Sequence, residues 1–593
     1  MKRELRATQL IGAGGVGAII DMGDESFVIE DITQWSKGPP IDIPRLSGRL
    51  NKPLFAPPYA GEGGRRGHVE MKRFPGALFC VSCRALRTDY REDTHGRDDG
   101  ERPDCRACGN RRVLTPMRFV LACRNGHLHE VPWARWAHSK GTNCGSKRLH
   151  FKVDEESGGA GLKSLYVECD DCGGKRDLEQ LPSKDAMRSI GVSCRGTHPW
   201  HAAEAECSEP PLVLQRGATN LHYAEIISAL DIGEQTLPEA GSHVELRADT
   251  LFDMLRENIQ AAPNIGNHLN EGAKRLATRL GALYGVDPEE IIRLAQGSAI
   301  SVEARQPDTA TLIDSLLSEE WTFLTSPRAG AINEASLVSR ESPPPRFRHT
   351  IQPFSRVLLL ERLREVRTMT SFSRIDPGAV KVPVDIDRLD VYRSWLPAAE
   401  VFGEGIFLQF DESFVSEWEA RLAGADPEVI EECARLERIR LEGNYWFLPE
   451  ITPRFIAIHT LAHLLMRQMT FECGYSSSAL RERIWANPAV PSAGILIYTA
   501  DGDSEGALGG LVRQGQPERL GDLISSALDK AKWCSADPVC SETKGQGLGG
   551  FNRGACHACS LVPETSCTFA NTLLSRLHVV GRHDVMAGLL EGI

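Results

Sequence analysis

Seventeen cysteines in a chain of 593 residues are bunched: ten lie between Cys80 and Cys207, five between Cys534 and Cys567, and only Cys433 and Cys473 fall elsewhere. Several stand two residues apart, a spacing that lets a short turn deliver both sulfurs to one tetrahedral ion at about 2.3 Å. Disulfide pairing does not demand such bunching, and in a reducing compartment thiolates persist as metal ligands. The chemistry these residues suit is zinc binding in closed, four-ligand sites, which hold structure and keep no open position for a reaction.

The strongest pattern is Cys80-Val-Ser-Cys83 with Cys105-Arg-Ala-Cys108, separated by a charged insert, and it reads as a zinc ribbon. A redox role for these CxxC pairs is disfavoured, because two pairs recur and no βαβ context surrounds either. A mixed site is expected from Cys123, His127, His138 and Cys144, whose x3 and x5 spacings let each pair converge. A further site starts at Cys169-Asp-Asp-Cys172 and draws two ligands from CRGTHPWHAAEAEC. Cys194 and Cys207 are one choice there, and a separate set of Cys194, His198, His201 and Cys207 is the rival. Near the end, Cys534, Cys540, Cys556 and Cys559 form another four-thiol pattern, in which Cys567 is a possible substitute for Cys534 or Cys540. The total is three or four structural ions. Each cysteine-rich module is too short to stabilise itself by apolar burial alone, so the ions would supply its folding energy.

The elements that must position these ligands are expected in an α+β, multidomain chain: at ~150 residues per domain the length suggests about three or four units. The expected division is 1–73, a strand-rich segment and linker; 74–209, the cysteine-rich modules; 210–445, a largely helical middle; and 446–593, a C-terminal α/β zinc-binding domain. The opening Gly12-Ala-Gly14-Gly-Val-Gly17 formally matches GxGxxG, but Ala18-Ile-Ile-Asp-Met and Ser26-Phe-Val-Ile-Glu read as a hairpin, without the strand-then-helix context a dinucleotide requires. Leu251-Phe-Asp-Met-Leu-Arg, Ile291-Ile-Arg-Leu-Ala and Val357-Leu-Leu-Leu-Glu-Arg-Leu-Arg-Glu-Val carry helical spacing. From Pro453 a helix is predicted with His459, His463 and Arg467 stacked one turn apart, a polar face packed on another segment, and Ala493–Ala500 reads as a buried strand. The histidines lack the Glu of HExxH, Thr460 standing there instead.

Composition is that of a folded protein, 41% hydrophobic and 25% charged. The start of the chain has no apolar leader and no run of about 18 apolar residues occurs, so a cytoplasmic location is expected. The net charge of −12 disfavours a simple nucleic-acid coat, yet Gly61 to His150 holds 18 Lys and Arg against 10 Asp and Glu, a basic face on an acidic body. Candidate phosphate contacts there are Arg111, Arg112, Arg118, Lys147 and Arg148, with Trp133 or Trp136 as stacking platforms for single strands.

The segments HTLAHLLMRQM, CGYSSSALRERIW, AGILIYTADGDSEGALGGLV and CHACSLVPETSCTFAN resemble the MrfA-like zinc-binding domain that ends certain superfamily 2 DNA helicases, over roughly Phe447 to Val580. With ATQLIGAGGVGAIIDM, CRNGHLHEVPWARWAH and LQRGATN, the whole layout is similar to the DrmB family of the DISARM anti-phage defence system. The resemblance implies zinc at Cys534, Cys540, Cys556 and Cys559, a complex with a DrmA-like superfamily 2 helicase, and DNA engaged directly or through that helicase. It departs from the fused helicases in lacking GxxxxGK[ST], since Gly174-Lys175 is followed by Arg176 within a cysteine knuckle. ATP hydrolysis is therefore expected in the partner and no catalysis in this chain. The alternative is a metal-dependent nuclease or other hydrolase built on His459 and His463, with Asp501 and Asp503.

Overall fold

A computed structural model of the chain describes residues 5–58, 69–88, 102–108, 112–141, 144–154, 161–233, 246, 249–261, 271–284, 286–295, 309–347, 352–385, 395–499, 510–582 and 586–593. Two compact units emerge, each assembled from separated stretches: Met1–Asp42, Lys52–Ile227 and Arg367–Ala399 in the first; Ile43–Asn51, Ser228–Val366 and Glu400–Ile593 in the second. The expected segments 1–73 and 74–209 thus fall mainly in the first unit and 446–593 in the second.

The first unit is built from short antiparallel strands. Ile19–Met22 and Glu25–Ile29 pair as the expected hairpin and are joined by Met71–Arg73. The glycine-rich stretch before it follows a helical turn, Ala7–Leu10, and leads into a strand, the reverse of a nucleotide fingerprint. Gly17 has φ +75°, and a Cβ there would lie 2.6 Å from the Phe372 ring. Its carbonyl accepts from Arg374, a fully buried guanidinium that also donates to the Gly126 carbonyl. This glycine therefore serves close packing.

A six-stranded sheet runs Lys175–Asp177, Leu165–Cys169, Leu149–Val153, Ala85–Arg87, Leu78–Cys80, Leu114–Pro116. A second sheet orders Leu212–Gln215, Phe119–Ala122 and Leu128–Glu130. The helix Trp133–His138 supplies Trp133 and Trp136 to a core shared with Leu149, Val167 and Leu178. Both indoles are buried, Trp136 donating to the Asp177 carbonyl at 3.1 Å with the Arg176 guanidinium 3.7 Å above its ring. The expectation that they offer stacking platforms is overturned: neither face is open to a base.

The second unit centres on a sheet whose path is Ala331–Asn333, Leu337–Ser342, Phe354–Ser373, Leu396–Phe410, Gly494–Thr499, Leu480–Trp485. The helix expected at Val357–Val366 is instead part of the 20-residue strand Phe354–Ser373. The reason is that both faces of the sheet are covered. Val357, Leu359, Ile406, Leu408, Ile495 and Ile497 face one core, with the helices Pro453–Cys473 and Pro517–Ala531, whereas Leu358, Leu360, Phe407 and Leu496 face another, with Phe323 and Leu324. A strand buried on both sides shows a continuous apolar run and loses its period-2 signature. The middle region is accordingly mixed. Its helical readings at Leu251 and Ile291 correspond to Thr250–Ala261 and Pro288–Ala295, which pack with Glu271–Tyr284 around Leu255, Ala277, Leu280 and Ile291.

The helix Pro453–Cys473 starts with Thr452 accepting from the Phe455 N–H at 3.1 Å and Pro453 in the first turn, and it stops at Gly474, φ +75°. Thr452→Ala removes that cap and is expected to lower stability by about 1 kcal/mol. An unchanged urea midpoint would contradict it.

Candidate metal centres

Among the described residues this framework assembles four clusters with two or more cysteines, in each of which all four ligand atoms lie within 4.8 Å of one another. At centre one, the strand Leu78–Cys80 runs into a tight turn, closed by the Arg84 N–H on the Cys80 carbonyl, that sets Cys80 and Cys83 against Cys105 and Cys108. Sulfur separations are 3.9 Å for Cys80 to Cys108 and 3.6 Å for Cys83 to Cys105. Tetrahedral ligands at about 2.3 Å from a shared ion stand ~3.8 Å apart, whereas a disulfide brings sulfurs to about 2.05 Å. The spacing is that of a coordination shell. Burial pushes the Cys80 thiol up, but the backbone N–H groups of Cys83 and Ser82 and the neighbouring thiols outweigh it and bring the group down to about 7.

Centre two joins Cys123 and His127 to Cys194 and Cys207. Cys123 Sγ lies 3.3 Å from His127 Nδ1, 3.6 Å from Cys194 Sγ and 3.9 Å from Cys207 Sγ. Its thiol is lowered to about 5, chiefly by the Cys194 thiol. Centre three joins His138 and Cys144 to Cys169 and Cys172, with Cys144 Sγ 3.3 Å from His138 Nε2 and 3.6 Å from Cys169 Sγ. His138 Nδ1–H donates to the Ala134 carbonyl at 2.7 Å, which leaves the Nε2 lone pair for a metal.

All eight residues expected to ligate between Cys123 and Cys207 are brought together, but their grouping is corrected. The expected sets, Cys123-His127-His138-Cys144 and Cys169-Cys172-Cys194-Cys207, exchange halves. His138 ends the helix Trp133–His138, which packs on the hairpin of Leu165–Cys169 and Lys175–Asp177 and so meets that hairpin's own knuckle. The Thr197–His198 and His201–Glu204 ribbon lies against Leu128–Glu130, which carries Cys194 and Cys207 to the Cys123 turn. His198 and His201, the rival ligands, are outside the shell: His198 packs at a tilt against His127 and Trp200, and His201 Nδ1 sits 2.9 Å from Asp31.

His129 is a supporting residue that spacing alone did not mark. Its Nδ1 lies 2.9 Å from the Thr197 hydroxyl and its Nε2 2.9 Å from Cys194 Sγ, where Nε2 also accepts from the Arg195 N–H, and burial lowers its pKa to about 4, keeping the ring neutral. Backbone N–H groups converge on the sulfurs too, from Gly196 on Cys194 and Gly174 on Cys172, both at 3.4 Å.

Centre four groups Cys534, Cys540, Cys556 and Cys559, with sulfur separations of 3.6 Å (534 to 556), 3.7 Å (540 to 559) and 3.8 Å (556 to 559). The Ala536 and Cys556 N–H groups donate to Cys534 and Cys559 sulfur. Cys567 does not enter this shell; it lies against His459. The expected stripe on the helix Pro453–Cys473 does face a neighbouring segment, the loop that follows the Cys556 knuckle. His463 Nδ1–H donates to the Ser560 carbonyl at 3.0 Å, and Arg467 donates to the carbonyls of His557, Ala558 and Leu561.

Among the expected phosphate contacts, Arg112, Arg118 and Lys147 are exposed, Arg118 donating to Gln215 Oε1 at 2.9 Å. Arg148 is paired with Asp171 at 3.1 Å. Arg111, Asp501 and Asp503 lie outside the described residues.

The DISARM protein DrmB of Bacillus paralicheniformis is 33% identical to this chain over 579 residues, which cover 95% of the chain and 98% of that protein. The chain belongs to the DrmB family. Two family models also match: the MrfA Zn-binding domain over residues 461–560, and a domain of unknown function (DUF8724) over residues 6–223. In this DrmB-family chain the first match holds centre four whole, and the second holds centres one to three. The C-terminal domain expected from the resemblance is thus present.

Proposed function

We propose that this chain is a non-catalytic zinc-binding subunit that partners a DrmA-like superfamily 2 helicase in the cytoplasm and helps it engage DNA during anti-phage defence. Each of the four centres holds one Zn²⁺. The observation that carries the reading is that every centre is closed by four protein ligands, the arrangement that stabilises surfaces and leaves no site for substrate. The family's place in DISARM supports a shared task. Full burial of His459 and His463 supports a non-catalytic role over a hydrolase, since water has no path to an ion held there.

A partner surface is offered beside centre four. A groove of about 1110 Å³ is lined by Arg467, Lys530 and His557 with Phe471 and Trp533, which are 79% and 70% exposed. Large exposed aromatics of this kind anchor interfaces. The experiment is co-purification with the helicase, followed by ATPase and DNA-binding assays with and without this chain. The chain alone is expected to hydrolyse no ATP and cut no DNA, and the double variant Phe471→Ala, Trp533→Ala to weaken the complex by at least about 2 kcal/mol at unchanged zinc content. DNA binding by the pair falls steeply with salt, the slope shrinking by about one for each of Arg112→Ala and Lys147→Ala that removes a phosphate contact. Magnesium- or manganese-dependent cutting by this chain alone would overturn the reading.

A further inference from the structure

His459 and His463 have a second set of neighbours, drawn from two distant parts of the chain. Glu482 reaches them from the strand Leu480–Trp485, and Cys567 from the loop beyond centre four. His459 Nε2 stands 3.0 Å from Glu482 Oε1 and 3.3 Å from Cys567 Sγ. His463 Nε2 is 3.4 Å from the same carboxylate oxygen. All four donor atoms lie within 4.8 Å of one another, and the four residues are buried, the two imidazoles and the carboxylate completely.

Protons alone satisfy this group poorly. Because His463 Nδ1–H is committed to the Ser560 carbonyl, Nε2 of the neutral ring is an acceptor, and it faces another acceptor. Neither that nitrogen nor Glu482 Oε2 has a hydrogen-bond partner among the described residues. A carboxylate oxygen and a lone pair left unbonded in a dry interior are costly. A cation at their centre resolves both.

The sulfur points the same way. Cys567 Sγ accepts from the backbone N–H groups of Phe569 at 3.3 Å and Asn571 at 3.4 Å, the dress of the thiolates in the four centres already described. Two imidazoles, one carboxylate and one thiolate form a four-donor set of the borderline kind that zinc takes tetrahedrally.

We propose that His459, His463, Glu482 and Cys567 bind a fifth Zn²⁺, a closed structural ion that fastens the helix Pro453–Cys473 to the strand Leu480–Trp485 and to the loop around Cys567. The MrfA Zn-binding match spans residues 461–560 and leaves both His459 and Cys567 outside it. The fifth ion and centre four are linked through one residue, since Ser560 gives its carbonyl to His463 and its hydroxyl to Cys559 Sγ at 3.3 Å. The proposal does not depend on a helicase partner.

The deciding experiment is zinc-edge anomalous scattering from crystals of the full, unaltered chain, paired with zinc analysis of Cys567→Ser and Glu482→Gln. A peak enclosed by the four side chains, and one ion fewer per chain in each variant, is expected. Absence of that peak, or an unchanged zinc content in both variants, would overturn the site. Peaks missing at the cysteine centres with this one present would instead count against the four-centre reading alone. Should a variant fail to fold, the map of the unaltered chain still decides.

Discussion

Cys123→Ser is expected to remove one zinc ion and to unfold the stretch between Cys123 and Cys207 under conditions where the unaltered chain is intact. The stretch cannot hold itself: its elements around centre two are the strands Phe119–Ala122, Leu128–Glu130, Thr197–His198 and His201–Glu204, of four, three, two and four residues. Strands so short bury little apolar surface each. A structural zinc contributes on the order of 10–16 kcal/mol of binding free energy in small modules at neutral pH, against a typical domain stability of about 5–15 kcal/mol. Losing most of it exceeds what the remaining contacts supply. Cys123 Sγ touches all three other ligands, His127, Cys194 and Cys207, so its loss opens the whole shell. Metal analysis with limited proteolysis reads the result. The control is Cys433→Ser, a buried thiol outside every cluster, pushed up to about 12 by burial, which is expected to keep all zinc and the parent's cleavage pattern. Full zinc content and unchanged cleavage in Cys123→Ser would remove the argument that these sulfurs hold the first unit together.

The donors were readable because thiolate pairs in short turns are a local feature: Cys80-x2-Cys83 and Cys169-x2-Cys172 each close a knuckle at the end of a strand. Which pairs share an ion was not, since that is decided by where the helix Trp133–His138 packs, and spacing carries no record of docking. The same limit hid the partners of His459. Its stripe with His463 and Arg467 followed from helical periodicity, but Glu482 and Cys567 lie 23 and 108 residues further along. Glu482 sits in a strand whose residues are almost all buried, where a lone acid gives no periodic signal. The strand Phe354–Ser373 carries a helix-like pattern for a related reason: helix and doubly buried strand both show apolar runs, and only the covering layers on each face tell them apart.

Glu320→Ala is expected to destabilise the second unit by about 3–5 kcal/mol, the cost of breaking a buried ion pair from one side. Glu320 belongs to the helix Thr309–Thr325, is fully buried, and accepts from Arg45 Nη1 at 3.0 Å, Arg483 Nη1 at 2.7 Å and the Leu230 N–H at 2.9 Å. Removing it leaves two guanidinium groups underground. Neither is abandoned entirely, because Glu319 lies 3.3 Å from Arg45 and Glu365 lies 3.3 Å from Arg483, but those carboxylates are already engaged. Burial lowers the pKa of Arg483, and the charges of Glu320 and Glu365 with Tyr498 more than restore it, so the cation persists and its desolvation is felt in full when Glu320 goes. Glu320→Gln keeps the shape and one acceptor and should cost less. The network also does something an apolar core does not: Arg45, on the helix Pro44–Leu50, is 275 residues away in sequence, and Glu320, together with the Leu230 and Leu316 carbonyls, fixes by directed hydrogen bonds where that short segment docks. Apolar replacement of the pair, Glu320→Leu with Arg483→Met, should therefore recover part of the stability lost in Glu320→Ala while loosening the Ile43–Asn51 segment. Urea unfolding gives the first quantity and amide exchange across that segment the second. A Glu320→Ala midpoint equivalent to less than about 1 kcal/mol of loss would mean that water, rather than carboxylate, balances the two arginines.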